Sequence, residues 1–221
     1  MDDRNSNKAN KRKIAFDDYI LAFDVILKKQ SSPEMSAKSV RKFANKAIKD
    51  QLSRDFFVDK NPSMNEFIHS KALNEQRHGV SKTYFVVNEP NPGQLLGFVT
   101  LRMDVLNLES VTLEQRKKLV LKGKSPNNLT QIPWLLIEEV AKNFKIADNP
   151  IHLDDLLDVA ISTMSQVHTL VGGGVIGLNA INVPRVIAKY HDYGFAPFGD
   201  PRPAHANRKV SYQPMFLRIS H

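Results

Sequence analysis

The chain has 221 residues, 42% hydrophobic and 24% charged, which is the range of a soluble globular protein and long enough for one well-buried core with an extension. It has no apolar run of about 18 residues, so neither a membrane span nor a secretion signal is expected, and the absence of cysteine removes disulfides, thiolate catalysis and cysteine-ligated zinc while fitting the cytoplasm. Its 31 Lys and Arg against 23 Asp and Glu leave a net charge of +8, which attracts anionic partners, whether an anionic cofactor or a nucleic acid.

Residues 1–13 carry Arg4, Lys8, Lys11, Arg12 and Lys13 against Asp2 and Asp3. They read as a flexible basic arm, either solubilising or contacting nucleic acid or another acidic partner. No aromatic side chain interrupts the run, so a base-stacking platform is not expected. Residues 14–49 read as a helical extension packed on the main domain. Phe16, Ile20, Phe23 and Leu27 share one helix face, Ser31-Ser32-Pro33-Glu34 breaks it, and Val40, Phe43, Ala44, Ala47 and Ile48 form a second stripe. Arg41, Lys42, Lys46 and Lys49 invite a helix-turn-helix reading, but the recognition helix lacks a distinctive base-reading set.

Residues 50–221 form the main domain. An amphipathic helix over 64–78 buries Met64, Phe67, Ile68, Ala72 and Leu73 and ends near Gly79. Thr83–Val87 and Leu95–Leu101 read as an antiparallel pair around a Pro/Asn/Gly turn, with Gly97 marking a bulge or a close approach. Val111–Leu121 reads as a charged helix, and Lys122-Gly123-Lys124-Ser125 lacks the spaced glycines of a phosphate loop. Ile132–Ala141 suits a central strand with Pro133 near its start.

Leu153, Leu156, Leu157, Ala160, Ile161, Met164 and Val167 then mark a clear helix, which Asn149-Pro150 are expected to cap and begin. Such a helix start presents N–H groups suited to a diphosphate. Three glycines, 172 to 174, lead into a strand, a helix through Asp192 and a Gly194-Phe195 turn. Val210–Ile219 supplies the last strand, in which Pro214 favours an edge or a bulge. The seven histidines form no compact ligand motif, so no metal site is expected. No element fixes the oligomeric state.

Strand, Asn182, helix and then Tyr190, Gly194 and Phe195 in a Tyr-x-x-x-Gly-Phe pattern resemble the closing half of a Gcn5-related N-acetyltransferase (GNAT) domain. Ser81-x-Thr83-Tyr84 and Leu96-Gly97-Phe98 resemble a branch with members in bacterial toxin modules and phages. The resemblance spans roughly residues 50 to 217. It implies a mixed α/β fold with a splayed central sheet and acetyl-CoA as cofactor.

On that resemblance, backbone groups near Val140 and Ala141 pair with the pantetheine amides. Asn149, Ile151, His152 and Leu153 lie at the diphosphate, and Asn182 at the cofactor edge. Tyr190 is the general acid for the leaving sulfur. Glu138 and Glu139 are the candidate bases, with Glu139 assigned. Adjacent strand residues face opposite sides, so both do not occupy one pocket.

The family's loop is commonly Gln/Arg-x-x-Gly-x-Gly/Ala, whereas Asp148-Asn149-Pro150-Ile151-His152-Leu153 has no glycine. Pro150 removes a donor, and Asp148, Asp154, Asp155 and Asp158 place carboxylates where an anion is expected. The implied function is acetyl transfer from acetyl-CoA to a primary amine on a small molecule or a macromolecule. The alternative is a noncatalytic GNAT-like interaction module contacting nucleic acid or a partner protein.

Overall fold

A computed structural model describes residues 11–15, 37–59, 61–88, 91–109, 111–120, 125–203 and 210–219. The expected helix over Phe16–Leu27, the break at Ser31–Glu34, the side chains of Val40, Phe43 and Ala44, and Lys122-Gly123-Lys124 lie outside the described residues.

In chain order the elements are β1 (Lys11–Ala15), α1 (Ala37–Asp55), α2 (Pro62–Glu66), a π-helical turn (Phe67–Lys71), α3 (Ala72–His78), β2 (Lys82–Asn88) and β3 (Asn91–Asn107). They continue with α4 (Leu113–Leu119), β4 (Gln131–Lys142), α5 (Leu153–Val171), β5 (Val175–Ile181), α6 (Pro184–Asp192), β6 (Ala196–Pro197), β7 (Arg202–Pro203) and β8 (Ser211–Arg218). The strand order is β1-β2-β3-β4-β5-β8-β6, with β7 also on β8. β1 is antiparallel to β2, β4 is parallel to β5, and β5 is antiparallel to β8, so the sheet is mixed as expected.

The chain folds as two compact units, Met1–Thr100 with Glu139–Val159 and Leu101–Glu138 with Ala160–His221. In the first, Lys11 to Lys13, the last residues of the sequence's basic arm, pair with Val86 to Asn88 of β2. The Lys13 ammonium lies 5.1 Å from the centre of the Tyr84 ring. α1 runs past residue 49, burying Ile48 and Leu52 one helical turn apart before Phe56. The helix expected over 64–78 is continuous in sequence but takes a π turn at its middle, buries Phe67, Ile68, Ala72 and Leu73, and stops at Gly79 in the left-handed region (φ 69°). Phe98 of β3 stands edge-on to Phe56 at 5.3 Å and stacks on Phe67 at 6.3 Å, which joins these helices to the strand.

In the second unit Trp134 and Leu136 of β4 pack with Val175, Phe198 and Phe216. Phe198 meets both Trp134 (6.0 Å) and Phe216 (5.8 Å) edge-on. α4 begins at a capping box in which Thr112 accepts the Gln115 N–H while the Gln115 side chain accepts the Thr112 N–H. Pro214 sits opposite Asn179 in a strand that has neighbours on both sides. It is tolerated because β6 pairs with residues 215 and 216 and β7 with 211 and 212, leaving Pro214 between the two short ladders.

Candidate functional site

The β4–β5 ladder consists of Leu135↔Ile176, Leu136↔Gly177 and Ile137↔Leu178. β4 continues to Lys142, past the last rung of that ladder at Ile137. Glu139 and Val140 are half-buried there, and Ala141 is buried. These residues lie in the first unit, together with Asn149, Ile151, His152 and Leu153.

The segment that joins β4 to α5 is built on two buried asparagines. Asn143 accepts the Phe57 N–H (3.1 Å) and the Lys145 N–H (3.0 Å), and its amide donates to the Asp55 and Leu95 carbonyls, both at 2.8 Å. Asn149 donates to the Leu96 carbonyl (2.7 Å) and the Asn143 carbonyl (2.9 Å), while its side-chain oxygen accepts the Ile151 N–H (3.2 Å). The Lys142 ammonium in turn donates to the Asn149 carbonyl at 2.7 Å. A buried amide with all these partners is a fixed part of the fold, because losing one leaves a polar group without water.

The cap of α5 therefore differs from the sequence expectation. Asn149 does not cap the helix; it closes a turn onto Ile151. At the helix start, the His152 N–H donates to the Asp155 carboxylate at 2.7 Å, the backward half of a capping box. Ile151 is fully buried and explains Gly97: a Cβ on that residue would stand 2.6 Å from Ile151 Cδ1 and 2.8 Å from the Ala141 carbonyl oxygen. Gly97 thus serves a close approach rather than a bulge. His152 is exposed and Leu153 half-buried.

The remaining predicted residues, Asn182 and Tyr190, lie in the second unit. Asn182 is exposed, and its N–H donates to the Ser211 carbonyl at 2.8 Å while its amide donates to the Ser211 hydroxyl at 3.2 Å. Tyr190 is buried near the end of α6. The Phe195 N–H donates to the Tyr190 carbonyl (3.0 Å) and the Gly194 N–H to the His191 carbonyl (2.8 Å), the paired bonds of a Schellman motif. Gly194 has φ 112°, which disfavours a side chain, and Phe195 meets the Tyr190 ring edge-on at 6.2 Å. The Tyr-x-x-x-Gly-Phe spacing is thus a helix stop that sets Phe195 against the Tyr190 ring.

Sequence reasoning missed an ion-pair cluster in the second unit. Arg102 of β3 bonds Glu138 at 2.9 Å and Asp104 at 3.0 Å. Glu138, one of the two candidate bases, is therefore engaged by a guanidinium. The alternation Arg102-Met103-Asp104 on a strand was the available signal. The first unit also has a cleft of about 450 Å³ lined by Arg54, Asp55, Gln94, Asn143 and Lys145, among others, and none of the predicted site residues lines it. Among the described residues no group of three or more metal-ligating side chains is suited to hold a metal ion.

No protein-family model and no curated protein matches the chain. Solved structures do match. A structure described as a bacterial toxin is 20% identical and superposes with a TM-score of 0.58, covering 76% of this chain and 83% of its own. A tyrosine-to-phenylalanine mutant of KacT is 13% identical with a TM-score of 0.53, over 75% of this chain and 86% of that one. AtaT in complex with acetyl-methionyl-tRNAfMet is 15% identical with a TM-score of 0.52, over 72% and 85%. At these identities the likeness is one of fold: the chain has the mixed α/β fold with a splayed central sheet of the Gcn5-related N-acetyltransferases, in the form these toxins share.

Proposed function

We propose that this protein transfers the acetyl group of acetyl-CoA to a primary amine carried by an anionic macromolecule, with an aminoacyl-tRNA as the acceptor. The observation that carries this reading is that β4 runs on to Lys142 after its last rung with β5 at Ile137, the stretch that the resemblance gives to the amides of a pantetheine arm. An AtaT mutant of the same fold was solved with acetyl-CoA and the C-terminus of the antitoxin AtaR, at a TM-score of 0.51 and 16% identity. The tRNA in the other AtaT complex suggests the acceptor, and the net charge of +8 favours a polyanion.

The chain's residues take the following roles. Backbone groups of Val140 and Ala141 hold the arm, and the Val140 N–H steadies the acyl oxygen. Glu139 receives the proton of the attacking amine. Tyr190 hands its phenolic proton to the departing sulfur, and its locked ring keeps that hydroxyl in one place. Asn182 borders the cofactor. Bound acetyl-CoA supplies a thioester whose carbonyl carbon exchanges its C–S bond for a C–N bond; the nitrogen loses one proton and the sulfur gains one.

A basic arm over 1–13 whose last three residues belong to β1, an extension over 14–49 that is strand at Ile14 and Ala15 and helical from Ala37, and a catalytic domain over 50–221 complete the proposal, with the arm as a phosphate contact. Among the described residues no helix is long and apolar enough to cross a membrane, and the proposed acceptor belongs to the cytoplasm. The test is transfer of labelled acetyl from acetyl-CoA to a mixed aminoacyl-tRNA pool, read as N-acetyl-aminoacyl-tRNA by mass spectrometry. Product on one or a few tRNAs is expected. No product on tRNA or on lysine-bearing peptides, with no binding of acetyl-CoA, overturns the reading in favour of a noncatalytic interaction module.

A further inference from the structure

We infer that the chain recognises its acyl donor through the pantetheine arm alone and forms no diphosphate cradle at the start of α5, so that acyl-pantetheine thioesters serve as donors with or without the nucleotide. This rests on the acyl-transfer reading above and narrows its donor class.

Four successive positions before α5 offer no spare backbone donor. The Asn149 N–H goes to the Ile146 carbonyl (3.3 Å), Pro150 has none, the Ile151 N–H goes to Asn149 Oδ1 (3.2 Å), and the His152 N–H goes to Asp155 Oδ2 (2.7 Å). A diphosphate seated on a loop needs those groups free and a backbone bare enough to approach.

The turn is also held in place. Asn149 is 6% exposed and spends its amide on the Leu96 and Asn143 carbonyls, while Ile151 is fully buried against Gly97. Opening the loop would strip the Asn143 carbonyl and the Ile151 N–H of their partners. Charge acts in the same direction. Residues 142–158 hold Lys142 and Lys145 against Asp148, Asp154, Asp155 and Asp158, a balance of 2 − 4 = −2. The Lys142 ammonium is bonded to the Asn149 carbonyl, and Lys145 donates to the Arg54 carbonyl. Asp154 and Asp155 occupy the first turn of α5, where they answer the helix dipole that an anion would otherwise meet.

Isothermal titration of the full chain with CoA, 4′-phosphopantetheine, pantetheine and 3′,5′-ADP tests this directly. The first three are expected to bind within about threefold of one another, with little change between low and moderate salt. The nucleotide is expected neither to bind nor to compete. CoA binding more than about 30-fold tighter than pantetheine, or competition by 3′,5′-ADP, overturns the inference and leaves acyl transfer standing. Failure of all four to bind overturns both. Asp155→Asn retains a side-chain acceptor for His152 and removes one charge, and Asp155→Ala also frees the His152 N–H. Each is expected to tighten CoA relative to pantetheine, the second more, and an unchanged ratio in both variants overturns the assignment of closure to Asp155.

Discussion

Helices α5 and α6 follow the two strands of the parallel pair, yet they begin in opposite ways. The amides before α5 are taken by the chain's own groups, and its first turn holds Asp154 and Asp155. α6 begins at Val183 with no side-chain cap, has Pro184 as its first residue, and has no acidic residue in its first turn. Its order lies at the other end, where the Schellman motif fixes Tyr190 and Phe195. The contrast shows that a helix's place in a fold does not decide what its start can bind. The residues within one turn of it do.

The largest effect is expected from breaking the fixed start of α5. Asn149→Ala strands the Asn143 carbonyl and the Ile151 N–H, leaves the Leu96 carbonyl with the Asn143 N–H alone, and should lower unfolding free energy by roughly 3 kcal/mol in chemical denaturation. The counterpart on α6 is chemical. Tyr190→Phe keeps the ring that packs on Phe195, so the melting temperature should hold while the single-turnover acetyl-transfer rate falls about 10²-fold. Unchanged turnover would remove Tyr190 as the acid, and equal losses of stability and affinity would make it a packing residue. Gly194→Ala forces a side chain onto φ 112° and should cost about 1–3 kcal/mol, loosening the motif that holds Tyr190.

A third helix start gives the smallest effect. The hydrogen bond from Lys117, followed by the charge of Lys117, holds the Glu114 carboxyl below its ordinary value at the start of α4. A depressed carboxyl contributes stability above its unfolded pKa and loses it as pH falls through the lower folded value. Because Glu114 is exposed, Glu114→Gln should shift the melting temperature at neutral pH by no more than about 1 °C.

Much of this was legible in the chain wherever contacts are local. The apolar spacing of Phe67, Ile68, Ala72 and Leu73 marked a helix, and the run around Trp134–Ile137 marked a central strand. Gly97 was readable as a close approach, although Ile151, 54 positions later, was not nameable as its cause. The role of Asn149 was misread for the same reason: Asn before Pro at a helix start signals a cap, but the Leu96 carbonyl, 53 residues away in sequence, claims its amide. The extension of β3 to Asn107 and the Arg102–Glu138 pair likewise depend on a neighbouring strand. Tyr190, Gly194 and Phe195 show a different limit. A helix stop and a proton donor's position demand the same spacing, so the pattern alone does not separate them.

Amide-resolved hydrogen exchange of the free protein and of the protein saturated with CoA tests the central claim most directly. The account predicts that Ile151 and His152 are protected before ligand and unchanged after it, while Val140 gains protection. Protection gained at Ile151, His152 and the first turn of α5, with none at the end of β4, would contradict it.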